Sequence, residues 1–216
     1  MTHFRLTFTV LTAALFFPAF GHAGIPSREQ LIDQEIAMED SGDLVGAIEI
    51  NKQILLQNPK DASAMNVIAG LYGKLGNFDQ EIIWARKAIA INKKLHLAYV
   101  NYGNAQSYLG HVIEAQAAFE TASKIAPLDP LPVYSLGVLS ENKKNLSEAI
   151  TYYEKSVALD SKFESGLFSL AAMYANAKRY IDAVAMLNKL LVLNPNADDA
   201  KAMLQQIQEE SKAVKH

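Results

Sequence analysis

The chain has 216 residues, half of them hydrophobic and a fifth charged, with a formal net charge of −3 and no cysteine. That length and balance suit one ordinary domain or one short repeat array rather than a disordered chain. The missing cysteine excludes disulfides, thiol catalysis, thiolate metal sites and a lipid anchor on an N-terminal cysteine. The lack of any basic block interleaved with aromatics excludes the electrostatic footprint of a nucleic-acid binder.

The first 23 residues read as a secretory signal peptide. "MTHFR" carries one positive charge at Arg5, Leu6 to Phe20 form an apolar run, and Gly21 and Ala23 are small residues around His22. This is the order of segments that an export signal needs. A retained anchor is the alternative, but the run is short against the roughly 20 residues of a membrane span, and Pro18 interrupts it. Cleavage is expected after Ala23. That leaves a periplasmic or secreted chain with no membrane span, and a short lead at 24–27.

From there the sequence repeats itself every 34 residues. Ala69, Gly103, Gly137 and Ala171 each follow a large apolar residue: Ile68, Tyr102, Leu136 and Leu170. Ala47, Ala115, Ala149 and Ala183 form a second small-residue column, and Leu44, Phe78, Val112, Leu146 and Tyr180 a bulky one. Pro59, Pro127 and Pro195 recur at twice the period. Within a period the spacing of Met65, Ile68, Ala69 and Tyr72 predicts a helix over 62–75. "GNF" at 76–78 marks a turn, and Ile82, Ala85, Ala88 and Ile89 predict a second helix over 79–91. Gly103 sits in a helix at a cost of roughly 1 kcal/mol against alanine. A close crossing of the two helices in a unit would require it. Five units are expected at 28–61, 62–95, 96–129, 130–163 and 164–197. Pro130 suits the first turn of its helix. At 198–216, Ala200, Met203, Leu204 and Ile207 make one apolar stripe, which predicts a capping helix and tail begun at Asn196 or Asp198.

A helix–turn–helix unit of this length, with these columns, resembles the tetratricopeptide repeat. The best matches are "YVNYGNAQSYLGHVIEAQAAFETASKIAP" and "YYEKSVALD". The resemblance implies an all-α, right-handed superhelical solenoid of about five repeats plus the capping helix, with the first helix of each unit on the concave face. Two units depart from the pattern. The first has Gln34 and Glu35 in place of a large and a small residue, as expected of an end repeat with a polar outer face. The second has Glu81 in the alanine column and Ala85 where Phe119 and Tyr153 stand later, with Trp84 beside it. The expectation there is a local repacking that lets the Glu81 carboxylate reach solvent.

No catalytic constellation appears. Of five histidines, His3 and His22 lie in the expected signal, His96 opens a helix, His111 is in a turn and His216 is terminal. None has a second ligand at metal spacing, and "GLYGKLG" lacks the end of a phosphate loop. No enzyme, metal or cofactor is expected.

Binding is expected instead. The columns predicted to face the concave side are Ile32, Asn66, Val100, Tyr134 and Phe168, then Ile36, Gly70, Asn104, Val138 and Ala172, then Asp40, Lys74, Tyr108, Asn142 and Asn176. The expected peptide-binding groove is Asn66, Val100, Asn101, Asn104, Tyr108, Tyr134, Val138, Asn142 and Phe168. Its amides would bond a peptide backbone and its aromatics would seat apolar side chains. Some relatives clamp a C-terminal carboxylate with cations. The matching places here are Ile32, Ile36, Val67, Leu97 and Asn101, so that mode is not expected. "NYGN" is similar to the asparagine ladder in the repeats of a cytosolic sugar-transferring enzyme, and only the backbone-binding idea carries over. The resulting expectation is a protein-interaction scaffold of the cell envelope, serving assembly or docking in pilus, secretion, cell-wall or cytochrome systems. The alternative is a self-assembling structural protein that uses the groove or the solenoid ends as a homo-oligomer interface.

Overall fold

The computed structural model describes residues 25–213, with side chains to 210, and the apolar run at Leu6–Phe20 and the cleavage expected after Ala23 lie outside the described residues. Five hairpins follow one another: α1 (Arg28–Asp40) with α2 (Leu44–Gln57), α3 (Ala62–Lys74) with α4 (Phe78–Ile91), α5 (His96–Tyr108) with α6 (Val112–Ile125), α7 (Pro130–Asn142) with α8 (Leu146–Leu159), and α9 (Glu164–Asn176) with α10 (Tyr180–Leu193). A last helix, α11 (Asp198–Ala213), begins 34 residues after Glu164, where a sixth leading helix would begin. No strand occurs among the described residues.

Local chemistry sets the helix ends. Ser27 and Gln30 close a capping box on α1, and Asp43, Asp61, Asn77, Asp129 and Asn145 each accept a backbone N–H at the start of their helices. The turn inside every hairpin passes through the left-handed region at one column. Its φ is +81°, +71° and +80° at Gly42, Gly76 and Gly110, and +59° at Lys144 and Lys178. Glycine adopts that conformation freely, whereas lysine is strained there.

Packing inside the hairpins explains the small residues. A Cβ built on Gly103 would lie 2.5 Å from Cε1 of Phe119, and one on Gly137 would lie 2.5 Å from Cε1 of Tyr153. Both rings are buried, and so are the column alanines Ala47, Ala115, Ala149 and Ala183. Where the opposing residue is smaller, as with Ala85 or Leu187, the chain carries Ala69 and Ala171 instead. The glycines are therefore the counterpart of a buried ring.

The end repeat departs from its expected polar face. Gln34 is exposed, but Glu35 is buried and burial raises its pKa, opposed by a hydrogen bond with Asn51. Glu35 occupies the inward small-residue column, so the helix period turns it toward α2. At the other end, Ala200 and Ile207 of α11 join Leu187 and Leu190 in one core cluster, with Met203 and Leu204 packed against it.

Candidate functional site

Leading helices touch one another directly: α3 meets α5, α5 meets α7 and α9 meets α11, while consecutive trailing helices make no comparable contact. The array is therefore narrower on the leading-helix side, and the residues exposed there line its hollow.

Five of the nine expected groove residues meet at one cavity of about 570 Å³ between α5 and α7: Asn104, Tyr108, Tyr134, Val138 and Asn142. Ser107, Phe119, Leu131 and Ser135 also line it, and among the described residues no charged side chain does. Tyr108 is 74% exposed. One face of its ring stacks on Phe78 at 4.6 Å between centroids, with 7° between planes. Among the described residues the side-chain amides of Asn104 and Asn142 have no hydrogen-bond partner, so both are free to pair with a ligand backbone. Tyr134 is held by an edge-on contact with Phe163 at 5.2 Å and by Ser169 Oγ at 3.2 Å from its hydroxyl.

Tyr134 also borders a second cavity of about 460 Å³, reached past Ser165, Phe168 and Ser169 to the start of α11 at Asp198 and Asp199. Phe168 is thus half-buried and open to this second space rather than the first.

The other expected groove residues behave differently. Val100 is 3% exposed and belongs to the core with Ala115, Phe119, Leu136 and Leu139, so its place in the groove is corrected. The apolar residues of α6 and α7 cover it. Asn101 donates from Nδ2 to the carbonyl and to Oδ1 of Asn66, at 3.1 and 2.9 Å. That pair bridges α3 and α5, and it engages the Nδ2 donor of Asn101. The serines at 107 and 135 and Leu131 were missed by column reasoning, although the three-residue spacing of Ser107 from Asn104 and of Ser135 from Val138 on their helices was a usable signal.

Glu81 does not reach solvent freely as expected; it is 3% exposed. Gly73 makes the room: a Cβ there would lie 2.7–2.8 Å from the Glu81 carboxylate atoms. Burial pushes its pKa from 4.5 up to about 8. Among the described residues no group of three or more His, Asp or Glu side chains is placed to hold a metal ion, and no helix is long and apolar enough to cross a membrane.

Sequence models of the tetratricopeptide repeat match residues 62–96 and 102–162. The chain is 29% identical over 128 residues to the anaphase-promoting complex subunit cut9 of Schizosaccharomyces pombe, a match covering 56% of this chain and 19% of that protein. It spans a third or less of the length of the curated relatives it matches. Among solved structures, TTC0263, a thermophilic tetratricopeptide protein of Thermus thermophilus, superposes with a TM-score of 0.75 at 17% identity, over 84% of this chain and 99% of that one. The Cut9 structure, solved in a hetero-tetramer with Hcn1, gives 0.73 at 21% identity over 85% and 37% of the two chains. YrrB, described as a tetratricopeptide protein with an unusual peptide-binding site, gives 0.51 at 16% identity over 80% and 89%. The chain carries tetratricopeptide repeats, and its described part folds as a superhelical solenoid of that architecture.

Proposed function

We propose that this chain is a non-catalytic scaffold that binds an extended, uncharged segment of a partner protein across α5 and α7. The observation that carries the reading is the 570 Å³ cavity, where an exposed tyrosine face and Val138 meet two unpaired asparagine amides with no charged side chain in the wall. An apolar side chain would fill the cavity while Asn104 and Asn142 bond the segment's backbone. The absence of a lining cation disfavours a carboxylate tail as the occupant. Peptide binding by YrrB and complex formation by Cut9 support the class of function. An envelope setting is part of the proposal. It rests on the segment order of Met1–Ala23, and mass spectrometry of the mature chain tests it: a first residue other than Gly24 counts against it.

The groove is tested by selecting binders from a random-peptide display library on the purified protein. Selected peptides should be apolar at their centre, with affinities in the micromolar range typical of short segments. They should bind at least tenfold more weakly to Tyr108→Ala and to Asn142→Ala, two exposed positions whose loss leaves the core intact. Peptides indifferent to both substitutions refute the site.

A further inference from the structure

A third cavity, of about 370 Å³, opens on the opposite side of the array, between the trailing helices α4 and α6 and over α5. Arg86 and Ile89 of α4, Tyr99 and Tyr102 of α5, and Glu114, Ala117, Ala118 and Thr121 of α6 line it. The 34-residue register shows what is missing. The column of Ala118 holds Trp84 in the unit before and Tyr152 in the unit after. Trp84 packs against the core clusters containing Met65 and Ile68, which are the counterparts of Tyr99 and Tyr102. Tyr152 packs against the cluster containing Leu136, the counterpart of Tyr102 in the next unit. Each of these rings lies beneath a lysine three residues on, Lys87 at 3.9 Å and Lys155 at 5.5 Å from the centroid. In the third unit both the ring and its lysine are absent, replaced by Ala118 and Thr121, and the interval stands open.

We propose that this notch is a second binding surface, and that it seats a tryptophan side chain presented by a partner protein. The shape argument is internal: the same interval holds an aromatic ring in both neighbouring units. The charge argument selects tryptophan. Glu114 on α6 offers a carboxylate acceptor to an indole N–H, and Arg86 on α4 supplies a cation in place of the missing lysine. Arg86 is already held at the mouth, its Nη2 donating to the Tyr102 hydroxyl at 3.2 Å and its guanidinium 5.2 Å from that ring's centroid. Tyr102, where the other units past the end repeat have Ile68, Leu136 and Leu170, extends the wall, and its hydroxyl accepts from Gln106 Nε2 at 2.7 Å. This surface is independent of the groove between α5 and α7 and does not rest on the reading given for it.

The test is a titration of the protein with N-acetyl-L-tryptophanamide, followed by amide chemical shifts. Saturable shifts are expected at Ala117, Ala118 and Thr121, with a Kd of roughly a millimolar, as suits a ligand of that size. N-acetyl-L-leucinamide should bind at least tenfold more weakly. Ala118→Trp fills the notch with the residue that the second unit carries and should abolish the shifts. Ala118→Met, copying Met186 of the fifth unit, serves the same purpose if the tryptophan variant does not fold. Equal binding of the two amides, shifts confined to Asn104, Ser107 and Tyr108, persistence of the shifts in the filled variant, or no saturable shift up to about 20 mM, a limit well above the affinity expected for this size, would each overturn the proposal.

Discussion

Replacing Glu81 with glutamine should make the protein more stable, and the gain should depend on pH. Glu81 is 3% exposed, its carboxylate lies over Gly73, and its pKa is pushed from 4.5 to about 8 by burial. The unfolded chain releases that proton near pH 4.5, while the folded chain keeps it until about 8. Between those values the folded state binds more protons than the unfolded one, so stability falls as pH rises through the window and is flat outside it. At 1.36 kcal/mol per pH unit the loss between pH 5 and 7.5 is about 3 kcal/mol. Glutamine keeps the shape and cannot ionise. Wild type and Glu81→Gln should therefore unfold at nearly the same temperature at pH 5. At pH 7.5 the variant should lead by roughly 6–12 °C for a chain of this size. Far-UV circular dichroism at the two pH values measures both, and the difference between the proteins cancels every other titrating group, Glu35 and Asp61 included. A gap that does not change with pH would mean that the folded chain carries Glu81 ionised, and the burial argument would fail.

Other consequences are equally direct. Gly137→Ala should cost about 1–3 kcal/mol through collision with Tyr153, and adding Tyr153→Leu should recover part of it, because Ala171 and Leu187 already form that pair in the fifth unit; urea unfolding of the two variants decides. Lys178→Gly should raise the melting temperature slightly, since φ of +59° strains lysine by about 1 kcal/mol while the added freedom of the unfolded chain offsets part of the gain. Ile207→Asp should release α11 and expose Leu187 and Leu190, seen as a loss of hydrogen-exchange protection in α9 and α10 with α3 to α6 unchanged. Asn101→Ala should lose about 1 kcal/mol with the bridge to Asn66, measured by the same unfolding assay.

The period was legible because it is written in size rather than in chemistry. Glycine facing a ring or alanine facing a smaller side chain, alanine in the trailing helix and a left-handed turn residue recur every 34 positions, and each is a steric requirement of one hairpin. What a single column does not carry is how deeply the neighbouring unit covers it. Asn66, Val100, Tyr134 and Phe168 share a column, yet Val100 is sealed by α6 and α7 while Tyr134 borders two cavities. Coverage depends on residues from two further helices at once, such as Phe119 of α6 with Leu136 and Leu139 of α7 over Val100. Glu35 and Glu81 show the same limit: a carboxylate in an inward column follows the backbone inward despite its polarity.

The exceptions to the columns then become the informative positions. A repeat array stacks near-identical interfaces, so each unit is a control for its neighbours. At Glu81 the exception is answered within the unit by Gly73, which accommodates the longer side chain, and its consequence is a stability term that varies with pH. At Ala118 the larger Tyr99 and Tyr102 beneath it do not close the interval. Thr121 is too short to close the gap, Tyr102 is tied to Gln106 and Arg86, and the cavity remains. Substituting small for large in a packed interval costs stability that alanine's better helix propensity recovers only in small part. A compensated exception is a matter of folding, whereas an uncompensated one leaves surface for something outside the chain to fill, which is why the notch at Ala118 rather than the site of Glu81 carries the inference of a second partner surface.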